Sequence, residues 1–391
     1  MIWCLLLLST LVWGYLIIAH GQFWRCDQRL DADHDTVYIA PRTWPRVVAL
    51  VPARNEADVI EQSVKSLLDQ DYAGRLDIVV TDDASEDGTG AILERLNGDG
   101  RFSVVSGTGP APGWSGKLYA LEQARTHADS NLPKPDYYWL TDADIAHDKG
   151  ACTRLVTQAE NGFHDMVSVM VRLQDRGFWP GLLIPAFVFF FQMLYPFRLI
   201  KDRGSKIAGA AGGCVLIHRQ ALDRIGGFAS LKGALIDDCT LAAQVKDGGG
   251  RIWLGLSRTQ YSIRPYDGLK DIWRMVSRTA YTQLKYSPWR LLGSCIGMVL
   301  VFLVAPIAVI VAMATASPVL CLAALLLWGL MALAYWPMIR WFDRPGEEAF
   351  LLPFAAAIYT VMTIDSAYRH WQGQGGAWKG RHQAGLDGKQ G

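Results

Sequence analysis

The segment from Gly181 to Ile200 is almost wholly apolar, yet it lies between two short acidic islands, Thr141-Asp142-Ala143-Asp144 and Ile236-Asp237-Asp238-Cys239. A single membrane crossing by this segment would leave Asp144 and Asp238 on opposite faces of the bilayer, and they could not share a site. The segment therefore reads as a monotopic or re-entrant element, broken by Pro185 and Pro196, that presses a soluble domain onto the membrane. A buried core helix is the alternative. Both readings keep the acids on one side.

Other apolar runs bracket this region. Ile2 to Ala19 carries no charge and is long enough for a hydrocarbon core of about 30 Å. With no basic residue before the run and no small-Xaa-small cleavage site after it, a transmembrane helix is expected rather than a cleaved signal peptide. Arg25 and Arg29 follow it, and the positive-inside rule then puts the next domain in the cytoplasm, although Asp27, Asp31 and Asp33 share the loop. Leu291–Ala314 and Pro318–Trp336 read as a helical hairpin turning at Thr315-Ala316-Ser317-Pro318. Phe350–Ile364 is short, holds Pro353 and stops at Asp365, so it spans or lies in the interface. If all three crossed, the tail with Arg369, Lys379, Arg381 and Lys389 would fall outside, so one of them is expected not to cross. The expected division is a transmembrane helix over 1–24, a cytosolic domain over 25–288 with an interfacial element at 180–200, membrane helices over 289–368, and a flexible basic tail over 369–391. The location expected is a bacterial inner membrane, with a multi-pass chain.

Composition narrows the partners. The chain is 51% hydrophobic with 15 Trp, and its net charge of +1 lacks the basic excess of a nucleic-acid binder. No nucleic-acid partner is expected. The seven Cys, at 4, 26, 152, 214, 239, 295 and 321, form no Cys-Xaa-Xaa-Cys, which points to reduced thiols rather than a zinc site or a disulfide framework.

Between Arg46 and about Tyr286, β-branched runs alternate with helical periodicity. Arg46–Val51, Leu76–Val80, Phe102–Val105 and Tyr137–Leu140 read as strands; Asp58–Gln70, Glu86–Leu96 and Lys117–His127 read as helices between them. Repeated βαβ units predict an α/β fold with a mainly parallel sheet and helices on both faces.

Each acidic island has two readings. Asp83 and Ser85 follow a strand and precede a helix, as turn and cap residues do. Asp-Xaa-Asp also occurs at Asp31/Asp33, Asp33/Asp35 and Asp69/Asp71, but only Asp142/Asp144 ends an apolar strand. A carboxylate pair there can hold Mg²⁺ or Mn²⁺ through hard oxygen ligands, the ion bridging a diphosphate. Lys117, in Gly113-Trp-Ser-Gly-Lys-Leu118, lacks the full P-loop pattern, yet a lysine at a helix start suits a phosphate; otherwise it is a solvated lysine. Asp237-Asp238 lies downstream of the Gly-rich turn and strand Ala210–Ile217 and opens a helix over Cys239–Lys246, as an N-cap or as a general base.

The order of these elements is more specific than any one of them. Val51-Pro-Ala-Arg-Asn-Glu56, Thr81-Asp-Asp-Ala-Ser-Glu-Asp-Gly-Thr89, Gly116-Lys117, Thr141-Asp-Ala-Asp144, Gly212-Gly213 and Asp238-Cys-Thr-Leu241 resemble the inverting family 2 glycosyltransferases of GT-A (Rossmann-like) fold, over roughly residues 46–290. Leu183–Pro196, Gly233–Asp238 and Arg278–Pro288 resemble the hopanoid-biosynthesis-associated glycosyltransferases of bacteria. The resemblance implies that Pro52, Arg54, Glu56 and Asp83 line the nucleoside pocket, with Gly213 and Lys117 also on the donor. It implies that Asp142 faces the ribose or diphosphate and shares the metal with Asp144. Asp238 matches the family's base, with Asp237 in the usual Glu position. The Gln-Xaa-Xaa-Arg-Trp box is incomplete: Trp273-Arg274-Met-Val-Ser-Arg278 keeps an arginine and loses the terminal Trp. The resemblance then implies that Arg278, with Arg274 as an accompanying candidate, stabilises the diphosphate leaving group.

The expected activity is transfer of a sugar from a nucleotide sugar, a UDP-sugar in the first instance, to a lipid acceptor of hopanoid or other polyisoprenoid type, with a divalent cation. The competing readings are a nucleotidyl- or phosphoglycosyltransferase, and a catalytically inert membrane partner of a hopanoid assembly.

Overall fold

The computed structural model describes residues 1–31, 39–98, 100–234, 236–373, 377–378 and 381–382. Asp33, Asp35, Lys379 and Lys389, and the tail expected beyond Gly373 apart from two short strands, lie outside the described residues. The chain forms two compact units: a sheet unit of 28–174, 200–265 and 376–391, and a helical unit of 1–27, 175–199 and 266–375.

In the sheet unit the strands are β1 (Val47–Ala53), β2 (Leu76–Asp82), β3 (Phe102–Ser106), β4 (Tyr137–Thr141), β5 (Ile145–His147), β6 (Met166–Arg172), β7 (Cys214–His218) and β8 (Ile252–Ser262). They form one sheet in the order β3-β2-β1-β4-β7-β6-β8-β5. Strands β3, β2, β1 and β4 run parallel, as do β6 and β8. The reversals are at β7, antiparallel to both β4 and β6, and at β5, antiparallel to β8. The sheet is thus mainly parallel and mixed.

Strand direction decides where chemistry collects. β1, β2, β4 and β8 all end at the same edge, while β7 and β5 begin there, with Thr141 opposite Cys214 and Ile145 opposite Ser262. Every residue of β1 is buried, which explains its unbroken apolar sequence.

The helices of this unit are α2 (Ile60–Leu68), α3 (Thr89–Leu96), α4 (Gly116–Asn131), α5 (Ala151–Gly162), α8 (Arg219–Arg224) and α9 (Asp237–Asp247), numbered along the whole chain. α2 presents Ile60, Val64 and Leu67 to the sheet core formed by Val47, Ala49 and Val51 with their neighbours. α3 starts later than its periodicity predicts. Gly88 adopts φ +97° before it, and Asp87 Oδ1 accepts from Thr89 N at 3.0 Å. Two further strands, β9 (Ala377–Trp378) and β10 (Arg381–His382), pair antiparallel.

The helical unit contains α1 (Ile2–Ile18), α6 (Phe178–Leu194), most of α7 (Phe197–Lys201), α10 (Leu269–Gln283), α11 (Pro288–Met298), α12 (Val304–Ala314), α13 (Pro318–Trp341) and α14 (Leu352–Trp371). Among the described residues, four helical stretches are long and apolar enough to cross a membrane: 178–201, 288–314, 318–341 and 346–371. Their outer faces carry apolar side chains such as Ile310, Leu326 and Leu333, more than 60% exposed. A five-residue π-helical stretch, Val299–Leu303, joins α11 to α12, and Trp13 Nε1 donates to Val301 O at 2.7 Å there.

Three expectations are corrected. Pro185 does not break its segment, since α6 runs through it; only Pro196 interrupts, between α6 and α7. The last run does not stop at Asp365 but continues to Trp371, so it is long enough to cross. Asp365 is tolerated because its Oδ2 accepts from Trp273 Nε1 at 2.7 Å and Arg369 Nε at 2.6 Å. The hairpin's second helix likewise runs on past Trp336 to Trp341. β6, before α6 in sequence, and β7, after it, are hydrogen-bonded neighbours in the one sheet.

Candidate active site

The ends of β1 and β2 interlock at the common edge. Arg54 Nη1 donates to Asp83 O at 2.6 Å and Ala84 O at 2.9 Å. Asn55 N donates to Ser85 Oγ (2.9 Å), Glu56 N to Thr89 Oγ1 (2.8 Å) and Ala57 N to Asp87 Oδ2 (2.9 Å), while Asn55 Oδ1 accepts from Glu86 N (2.9 Å). Asn55 and Ala84 turn these corners at φ +52° and +53°, the left-handed region that Asn tolerates and Ala resists. Asp83 is 1% exposed, and Asp82 is the last residue of β2, its Oδ1 accepting from Ser85 N.

A second group gathers where β4, β7, α4 and α9 meet. Ser115 caps α4, its Oγ accepting from Leu118 N at 3.3 Å, and this sets Lys117 in the first helical turn. Lys117 Nζ lies 2.7 Å from Asp142 Oδ1. One pocket is lined by Lys117, Asp142, Gly212, Asp237 and Asp238, with Pro52, Leu140, Phe228 and Leu231 supplying apolar wall. A Cβ on Gly212 would stand 3.1 Å from Asp238 Oδ2, a tight approach, and 3.4 Å from Lys117 Nζ, an ordinary contact, so the chain passes close to both side chains here. Gly213 plays a different part: its carbonyl accepts from Asp142 N at 3.3 Å and Thr141 Oγ1 at 3.1 Å, fixing the turn that aims Asp142. Neither Asp237 nor Asp238 is the N-cap of α9; Ile236 is, and both acids occupy the first turn, where the helix dipole favours negative charge.

Electrostatics in this pocket run in opposite directions. Burial pushes the Asp238 carboxyl up to about 6, Asp237 adding to the rise, against the opposing pull of Lys117 and backbone hydrogen bonds from Cys239 and Gly212. Burial opposes the Lys117 charge, but Asp142, Asp237 and Asp238 outweigh it and hold the ammonium protonated.

The third group lies beyond β8. Arg264 contacts Glu56 Oε2 through Nη2, and its Nε is 3.7 Å from Asp144 Oδ2. Ile263 N donates to Asp144 O at 2.8 Å, tying the strand end to the turn after β4.

Residues 48–226 match the family model described as Glycosyl transferase family 2. Over that stretch, a little under half of its length, the chain is similar to the family 2 glycosyltransferases. It is 28% identical over 249 residues to a protein of Bacillus subtilis (strain 168) described as "Probable glycosyltransferase YdaM", covering 62% of this chain and 57% of that one. The chain thus spans little more than half the length of that relative. An N-acetylglucosaminyltransferase of Azorhizobium caulinodans is 27% identical over 183 residues, 46% of this chain and 43% of that one. Among solved structures, a mannosyltransferase from Pyrobaculum calidifontis shares the fold, with a TM-score of 0.58 and 22% identity over 92% of this chain and 99% of that one. The sheet unit has the GT-A fold.

Within the sheet unit, Pro52, Lys117, Asp142 and Asp238 share one pocket, Asp238 lying beyond the matched residues. Arg54 and Asp83 meet at the β1/β2 corner, and Glu56 and Asp144 meet through Arg264. Arg278 lies exposed on α10 in the helical unit. The sequence reading missed Arg264, whose signal was position alone: it stands two residues after a long strand that ends at the carboxylate edge. It also missed Thr141 and His147, where Thr141 Oγ1 lies 2.8 Å from His147 Nε2 beneath Asp142.

Proposed function

We propose that this chain is an inverting glycosyltransferase that moves a sugar from a nucleotide sugar to the hydroxyl of a membrane lipid, with Asp238 as general base. The observation that carries this reading is the pocket around Gly212, where a carboxyl raised by burial faces a half-buried lysine and a strand-end aspartate. Asp238 takes the proton of the acceptor hydroxyl as that oxygen forms its bond to the anomeric carbon. The bond from that carbon to the diphosphate breaks, and the diphosphate leaves with the electron pair. Attack opposite the leaving group inverts the anomeric centre. Lys117 holds a fixed positive charge for the departing phosphate. Arg54, Glu56 and Asp83 frame the nucleoside side of the edge, and Arg278 of α10 is assigned to the leaving group from the sequence resemblance.

A divalent cation, Mg²⁺ or Mn²⁺, suits the donor chemistry of Asp142 and Asp144, whose side chains keep 34% and 27% exposure. Among the described residues no three His, Cys, Asp or Glu side chains group as a metal site. Such ions need not have one, since one or two carboxylates with substrate phosphates and water complete their shell. Bound there, the ion would neutralise diphosphate charge. The Pyrobaculum neighbour was solved with GDP-Man and Mn²⁺, which supports trying guanosine as well as uridine diphosphate sugars.

The lipid acceptor is argued from tethering. The family 2 domain is continuous in sequence with apolar helices on both sides and with α6 in its middle. An acceptor hydroxyl at headgroup depth is then the accessible one, and the resemblance favours a hopanoid or other polyisoprenoid lipid. Arg25 and Arg29 after α1 favour a cytoplasmic site at a bacterial inner membrane. The test is incubation of purified protein with labelled nucleotide sugars and extracted membrane lipids, followed by mass analysis. A glycosylated lipid formed by wild type and absent with Asp238→Asn is expected; a product carrying a new phosphate linkage instead would overturn the reaction class.

A further inference from the structure

Arg264 stands where two acidic residues from different strand ends converge. Its guanidinium reaches Glu56 at the end of β1 and Asp144 in the turn after β4, and the preceding residue's N–H is bonded to Asp144 O. We propose that Arg264 is a positioning residue that holds the Asp144 carboxylate while no divalent cation is bound and competes with that cation for it.

The two contacts are unequal. Nη2 makes a direct hydrogen bond to Glu56, whereas Nε stands off Asp144 at 3.7 Å. Glu56 is 9% exposed in its side chain and Arg264 41%, so the buried glutamate is the pivot and the arginine is the part with room to swing. A cation held by Asp144 would leave Arg264 on Glu56 alone. The same step couples the strand end at Ile263 to occupancy of the site.

The inference rests on reading Asp144 as a metal carboxylate, and the experiment separates the two. Free Mn²⁺ is followed by electron paramagnetic resonance while full-length protein in detergent is titrated in, with Mn²⁺ alone and with Mn²⁺ plus UDP. Arg264→Gln is expected to tighten Mn²⁺ binding about two- to five-fold, the range of a partly exposed ion pair. Arg264→Lys, which keeps the charge but not the forked reach, should fall between. Loss of a nearby positive charge would alone give part of this effect, so the double-mutant cycle decides. Glu56→Gln should weaken Mn²⁺ binding when Arg264 is present, because the guanidinium then rests on Asp144, and have a smaller effect in the Glu56→Gln/Arg264→Gln protein. Equal affinities for wild type and Arg264→Gln, or strictly additive effects in the cycle, overturn the latch. If Asp144→Asn binds Mn²⁺ as wild type does, or if no variant binds it with or without UDP, the metal reading falls and the latch with it. If Asp144→Asn weakens binding while Arg264→Gln changes nothing, the latch alone is wrong.

Discussion

Lys117 Nζ lies 2.7 Å from Asp142 Oδ1, and the same ammonium lowers the proton affinity of Asp238. One half-buried cation therefore serves two carboxyls with different roles. Removing it, as in Lys117→Met, leaves Asp142, Asp237 and Asp238 around an apolar side chain, and like charges then push the Asp238 carboxyl higher still. The acidic limb of the kcat/KM profile is expected to move to higher pH, with a rate loss of about 10²-fold or more from the missing charge on the diphosphate. A pH–rate profile with an unmoved limb would show that Lys117 does not act on the base.

Asp238 itself makes a paired prediction for activity and stability. With its carboxyl raised to about 6, wild-type kcat/KM should fall as pH drops through that value, because the base becomes protonated. Asp238→Asn should lose about 10²- to 10⁴-fold in rate while still binding nucleotide. The raised value means that the folded chain holds this proton more tightly than the unfolded chain does. Its stabilising effect is complete below the ordinary carboxylate range and is lost as pH rises through about 6. Asp238→Asn should therefore melt higher than wild type at pH 7.5, with the gap closing near pH 4. A gap of the same size at both values would place its cause elsewhere.

Ala84 sits at φ +53° in the corner after β2, where an L side chain is strained by about 1 kcal/mol. Ala84→Gly relieves that strain and gives up some of it in unfolded-chain entropy, so thermal unfolding should be unchanged or slightly raised. Ala84→Val should lower it, since a β-branched residue fits this region worst. If the glycine variant is clearly less stable, the left-handed corner is not strained and the Arg54 contact to Ala84 O is not fixing it.

What the sequence made legible follows from periodicity. β1, β2 and β4 are buried apolar runs, and Asp83, Asp142 and Asp144 follow such runs directly. Lys117 and Asp238 were found at helix starts. Arg264 could not be found this way, because an arginine after a strand has no pattern of its own and its partner Glu56 is 208 residues away in sequence. The reversal at β7 was equally hidden, since an antiparallel strand buried on both faces reads like a parallel one. Of the Gly-Gly pair, Gly212 is the residue against Asp238, while the Gly213 carbonyl accepts from Asp142 N, a division that the sequence alone does not reveal. The last apolar run reads as ending at Asp365, but a lone carboxylate is costly in an apolar helix only when unpartnered, and its two donors, one of them 92 residues away, remove that cost.

Those two donors allow a test within the helical unit. Trp273 Nε1 and Arg369 Nε both bond Asp365 Oδ2, joining α10 to α14. Asp365→Leu leaves a half-buried indole N–H and a guanidinium without their acceptor, which costs about 1–3 kcal/mol for the buried donor. Trp273→Phe loses the indole hydrogen bond but leaves the carboxylate its arginine, so its own cost is smaller. If the contact is real, the double variant should be less destabilised than the sum of the singles, with a coupling of about 0.5–3 kcal/mol in thermal or denaturant unfolding of detergent-solubilised protein. Additive losses would mean that α10 and α14 are held by apolar packing and by Ser366, whose Oγ accepts from Tyr281 N at 3.0 Å and donates to Ser277 O at 2.6 Å. In that case Ser366→Ala should be the more damaging change, since it leaves a buried N–H and a buried carbonyl unpaired at once.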